Sequence, residues 1–138
     1  AFDNSSREIR TYRVDRMDDV TILREAREGA DEFAAYDMPS HLQRTFGMYG
    51  GDNRTVSICF ANYLLDTVVE RFGTDNTVSY RKDDTRHFTV TTEIAISPQF
   101  YSWLLGFGVS ATILRPQEVV DDFKEYISKI MKHYERRK

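Results

Sequence analysis

Cysteine is almost missing from this chain. Cys59 is the only one, so no disulfide can form within it, and that usage fits a reducing cytoplasm, where the protein is expected. Long apolar runs are missing as well. No stretch of the sequence approaches the length of a membrane span, and no charged-then-apolar leader opens it, so no membrane partner is expected. Asn4-Ser5-Ser6 and Asn53-Arg54-Thr55 match the glycosylation pattern; without a secretory signal both read as chance. An excess of positive charge is lacking too. The net charge of −3 gives the chain as a whole no attraction to nucleic acid, although it leaves room for a local basic patch. The three histidines, His41, His87 and His133, have no metal-ligand spacing among themselves or with Cys59, so no metal and no cofactor are expected. Gly47-Met48-Tyr49-Gly50-Gly51 lacks the Gly-Lys-Ser/Thr of a phosphate loop. No Ser/His/Asp set can be nominated, and the acidic pairs Asp18-Asp19, Asp83-Asp84 and Asp121-Asp122 suit turns and a helix start. The chain is not expected to be an enzyme.

What the sequence has is a globular composition, 41% hydrophobic and 30% charged over 138 residues, enough for one domain or two small ones. The clearest local pattern is Ser97 to Pro116. Ser97 is a good N-cap with Pro98 at the first helical position. Phe100, Trp103, Leu104 and Phe107 follow at helical spacing, Gly106 and Gly108 supply a stop, and Ala111 and Ile113 alternate as a strand that Pro116 ends. Upstream, Val56, Ile58 and Phe60 alternate as a strand, and Leu64, Leu65, Val68, Val69 and Phe72 form a helical stripe that Gly73 closes. Thr77–Arg81 and Phe88–Ile96 read as a hairpin turning at Lys82–Thr85. Glu118–Tyr134 reads as a terminal helix with Val119, Phe123, Tyr126, Ile127, Ile130 and Tyr134 on one side. The fold class is therefore α+β, with a ferredoxin-like βαββαβ domain and an extra C-terminal helix. Right-handed crossovers put both internal helices on one face of a four-stranded antiparallel sheet. The other face then carries Ser57, Cys59, Ser79, Arg81, His87, Thr89, Thr91, Glu93 and Thr112. It is rich in hydroxyls and poor in the stacking aromatics of an RNA-reading sheet.

Residues 1–29 read as strands: Phe2, then a long strand over Glu8–Met17, then Val20–Leu23. Three such pieces are too few to close a sheet, so they are expected to belong to a domain whose first part precedes Ala1. Asp37 and Pro39 open a helix over the connector, with Leu42 and Phe46 at i, i+4 spacing. The domain boundary falls in the glycine-rich stretch after it, dividing residues 1–48 from residues 52–138. Arg7, Arg10, Arg13 and Arg16 crowd the first long strand. With a two-residue period Arg10 and Arg16 share a face and Arg13 looks the other way. The residues permit a solvated strand neutralised by Glu8 and Asp15, or an anion site built from guanidinium forks.

Thr11-Tyr12-Arg13-Val14-Asp15-Arg16-Met17 resembles the Arg-x-Asp-Arg-hydrophobic strand of WYL domains, the Sm-like (SH3-like) barrel sensors of bacterial transcriptional regulators. Phe46-Gly47-Met48, Glu70-Arg71-Phe72-Gly73, Ser97-Pro98-Gln99-Phe100, Trp103-Leu104-Leu105-Gly106-Phe107-Gly108 and Ile113-Leu114-Arg115-Pro116 resemble the WCX extension that commonly follows it. The Trp-Tyr-Leu signature and the helix-turn-helix are not in the chain, so the resemblance implies the C-terminal part of a larger regulator. It implies that residues 1–48 end a WYL barrel and residues 52–138 are the extension. Arg13 and Arg16, with Arg10 beside them, would contribute to a basic pocket for a nucleic-acid fragment or nucleotide-like effector. The protein would form a homodimer, and an N-terminal helix-turn-helix would contact duplex DNA. The competing expectation is an oligomerisation module with no ligand of its own, and the weakest is a stand-alone enzyme.

Overall fold

The computed structural model describes residues 1–36, 38, 46 and 51–137. The chain divides into two compact units, Ala1–His41 and Leu42–Lys138.

The second unit has the expected element order. Strand β3 (Asp52–Ala61) leads through a short 3-10 turn into helix α2 (Leu65–Phe72). A hairpin follows, of β4 (Ser79–Lys82) and β5 (His87–Ile96), then α3 (Pro98–Leu105), β6 (Ala111–Arg115) and α4 (Gln117–Glu135). The sheet order is β4-β5-β3-β6, and every pairing is antiparallel. This is the order of a ferredoxin-like sheet. β3 and β5 pair over their full lengths, from Asp52 opposite Ile96 to Ala61 opposite His87.

One face of the sheet supplies the core. Val56, Ile58 and Phe60 of β3 and Phe88, Val90 and Ile94 of β5 are buried in one cluster with Val68 and Phe72 of α2, Phe100 and Leu104 of α3, and Val119 of α4. Trp103 and Phe107 are half-buried against that cluster. Ser97 caps α3 as its sequence predicts: its Oγ accepts from Phe100 N–H at 3.2 Å. Gly51 packs where no side chain fits, since a Cβ there would lie 1.9 Å from the Ile96 carbonyl oxygen. Phe46 belongs to this core. It is 5% exposed, with its ring centroid 5.2 Å from those of both Phe100 and Trp103, and the Arg71 guanidinium lies 3.8 Å over its centre. Only the first part of α4 follows the core. Its stripe continues outward, leaving Met131 57% and Tyr134 70% exposed.

The first unit differs from the expected strands. β1 (Phe2–Asp3) and β2 (Glu8–Ile9) form a two-residue ladder, and no closed barrel is present among the described residues. The long strand over Glu8–Met17 is not formed: the chain leaves the ladder after Ile9 and makes a 3-10 turn over Val14–Arg16. Val20–Leu23 is not a strand either. Extended backbone needs a neighbour to take its hydrogen bonds, and β1 is too short to provide one. A short helix, α1 (Ala30–Ala34), follows Gly29 where the sequence reading placed only connector. Gly29 has φ +72°, and a Cβ there would strike Phe2 at 2.3 Å. Asp37, Pro39, Leu42 and the glycines at 47 and 50 lie outside the described residues, as does the helix expected there.

Candidate functional site

The three arginines sit in three local settings. Arg10 follows β2 and pairs with Asp3 at 3.2 Å. Its backbone N–H and carbonyl both engage Ala1. Arg13 precedes the 3-10 turn and forks Asp15, with Nε donating to Oδ1 at 2.9 Å and Nη2 donating to Oδ2. Arg16 ends that turn and makes no ion pair among the described residues. The alternation that would place Arg10 and Arg16 on one strand face does not apply, because the turn replaces the strand. Both partner carboxylates are held below their usual range. For Asp3 the largest cause is the Ser5 backbone N–H, with Arg10 adding to it; for Asp15 it is the hydrogen bond from Arg13. They stay ionised through neutral pH, so an incoming anion must compete with them for Arg10 and Arg13 but finds Arg16 uncontested.

The first unit also holds a cavity of about 680 Å³, lined in part by Phe2, Ile9, Leu23, Arg27, Glu28 and Phe33. None of Arg10, Arg13 and Arg16 lines it. Its walls mix apolar side chains with the Arg27 guanidinium and the carboxylates of Glu25 and Glu28.

The helix-free face of the second unit's sheet is the other polar surface. Ser57 and Thr91 stand opposite each other on β3 and β5, with their hydroxyl oxygens 2.7 Å apart. Arg115 Nε donates to Ser57 Oγ at 3.0 Å. Arg115 is absent from the face that strict alternation assigns, because Ile113 points to the core and Leu114 should then be the outward neighbour. A bulge changes the parity: Ile58 pairs with Ile113, yet Ser57 pairs with Arg115. The one available signal is the Arg115-Pro116 strand end, where regular pairing stops. Cys59, on the same face, is half-buried, and burial followed by the Asp83 and Asp84 carboxylates pushes its thiol up, which makes it a poor nucleophile. Arg81 pairs with Asp83 at 3.0 Å, and His87 with Asp84 at 3.1 Å. Among the described residues no three His, Cys, Asp or Glu side chains gather to hold a metal ion, and no helix is long and apolar enough to cross a membrane.

The family model of the WCX domain matches residues 52–131, which spans the sheet and most of α4. No curated protein matches the chain.

Proposed function

This chain belongs to the WCX-domain family, and from that premise we propose that it is the effector-sensing and dimerising region of a bacterial DNA-binding transcriptional regulator of the WYL type. The effector is a nucleic-acid fragment or a nucleotide-like anion. The residues that receive it are Arg10, Arg13 and Arg16. The observation that carries the reading is the state of these side chains: Arg16 is exposed without an ion-pair partner among the described residues, and Arg10 and Arg13, each about half exposed, pair with the carboxylates of Asp3 and Asp15. Solvent screens pairs of this kind, so a phosphate exchanges for them at little cost. Binding biases a two-state arrangement of the dimer and so repositions an N-terminal helix-turn-helix on duplex DNA. The region itself catalyses nothing.

The test is a titration of short single-stranded DNA and RNA into the intact regulator and into an Arg13→Ala, Arg16→Ala variant. We expect the variant to bind at least about tenfold more weakly, and three phosphate contacts to give a slope of log affinity on log salt of about −2. Equal binding by both proteins at low salt overturns the site.

A second reading, an assembly module without a ligand, is favoured by α4. Its exposed apolar residues Met131 and Tyr134 lie on a helix whose first half carries Glu118, Asp121, Asp122 and Glu125 beside one cation, Lys124, and whose second half carries Lys129 and Lys132 beside one carboxylate, Glu135, with Arg136 and Arg137 just past its end. An antiparallel second copy brings the acidic half against the basic half. Sedimentation that shows a strict monomer at high concentration removes this reading, while dimerisation lost in Met131→Glu supports it.

A further inference from the structure

We propose that the helix-free sheet face of the second unit carries an oxyanion seat built on Arg115, Ser57 and Thr91, and that its ligand is a small hydroxylated phosphate or carboxylate. The seat uses none of the first unit's arginines and stands whether or not they bind an effector.

The bulge is the first observation. The step in register between Ser57 and Ile58 makes Leu114 the extra residue and turns Arg115 onto the outer face beside Ser57. Bulges of this kind re-aim a side chain at a site. The second observation is how the guanidinium is held. Nε is used on Ser57 Oγ at 3.0 Å, and Ser57 is itself 2% exposed, so the head group is fixed from below. Its Nη edge has no ion pair or hydrogen bond among the described residues. A guanidinium anchored at Nε and open at Nη presents two parallel N–H donors, the geometry that matches a carboxylate or phosphate edge. The third is the hydroxyl count. Ser57 accepts from Arg115 and shares one proton with Thr91 across 2.7 Å. Whichever of the two donates, one hydroxyl proton remains over. With Ser57 Oγ donating to Thr91, that proton is Thr91's own, and Thr91, the less buried of the pair, can offer it outward to the same anion.

The surroundings set the rest of the ligand. In register, Ser79, Thr91, Ser57 and Arg115 form one row across all four strands, and Thr112 stands beside Cys59 in the next. No Phe, Tyr or Trp occupies an outward position of these strands, so there is no platform for a base. Hydroxyls at Ser79 and Thr112 suit a polyol. The other charges on the face are placed to confine the anion to the Arg115 row: Arg81 is taken by Asp83, His87 by Asp84, and Glu93 lies opposite Thr55, one outward position along from Ser57.

The test is calorimetric or NMR titration of the full chain with glycerol 3-phosphate, glycerate, inorganic phosphate and glycerol. Glycerol 3-phosphate against glycerate distinguishes a phosphate from a carboxylate preference; either preference supports the seat. We expect saturable binding of at least one of these two anions below about 10 mM, tighter than inorganic phosphate and far tighter than glycerol. Arg115→Met should abolish it, Arg115→Lys should weaken it about tenfold by keeping the charge without the fork, and Thr91→Val should weaken it a few-fold. Glu93→Gln should tighten it by removing a like charge. No saturable binding in that range, affinity unchanged in Arg115→Met, or glycerol binding as well as the anions, overturns the proposal. Unchanged sheet resonances in the Arg115 variants establish that the loss is of the seat and not of the fold.

Discussion

The two units of this chain use similar residues to different effect. In the second, apolar residues at periods of two and three and a half close into a single core, with Val56, Ile58, Phe60, Val90 and Phe100 fully buried. In the first, Val14 is 79%, Val20 75% and Ile22 97% exposed, and the longest strands are two residues. The difference teaches that alternation specifies a strand only where a partner surface receives it. Burial of one face fixes register and pays for extended backbone; without it, local interactions such as the Arg13–Asp15 fork and the Val14–Arg16 turn decide the conformation.

The sharpest test of that contrast is a pair of truncations. Phe60→Ala removes a ring packed against Phe88, Trp103 and Phe107 and should cost about 3–5 kcal/mol, whereas Ile22→Ala should change stability by less than about 0.5 kcal/mol. Denaturant unfolding followed by NMR resonances of each unit measures both, and comparable losses would break the comparison. Gly51→Ala comes next. A methyl group must displace the Ile96 carbonyl, so a loss of about 1–3 kcal/mol is expected; a neutral result would mean that the start of β3 is not held as described. Ser97→Ala removes the α3 cap and should cost about 1 kcal/mol, seen as a lower denaturant midpoint at unchanged slope. The last substitution within the second unit is at Tyr101, which is 6% exposed and whose hydroxyl meets no partner among the described residues. Burial, with a contribution from Asp122, pushes its phenol up to about 12. The unfolded chain releases that proton near pH 10, so the folded protein binds more protons between pH 10 and 12 and loses stability there as pH rises. Tyr101→Phe should flatten this alkaline slope and shift stability by no more than about 1 kcal/mol at pH 7. An unchanged slope would place the ionisation elsewhere.

These contrasts also explain what was legible in the residues. Helices α2, α3 and α4 announce themselves because each buries one stripe, and β3 and β5 because each alternates against that core. Ser97-Pro98 marks its helix start by chemistry that needs no distant partner. The arginine segment departs from its expected strand because Glu8–Met17 carries strand-forming residues but no sheet to join. Arg115 escaped because a bulge is a one-residue event: periodicity gives the face of every residue before it and the wrong face for the residue after it. The outward run of α4 was hidden for another reason. Tyr134 continues the helical stripe perfectly well, but the core stops before it.

The position of β3 has a consequence for how the second unit is made. It is the first of the four strands to be synthesised and it lies inside the sheet, between β5 and β6. Both of its edges therefore stay open while the chain lengthens: Asp52 waits for Ile96, and Ser57 waits for Arg115. Such distant pairings close slowly, and a nascent chain carrying an uncovered Val-Ser-Ile-Cys-Phe strand is exposed to association with its neighbours on the ribosome until the last strand emerges.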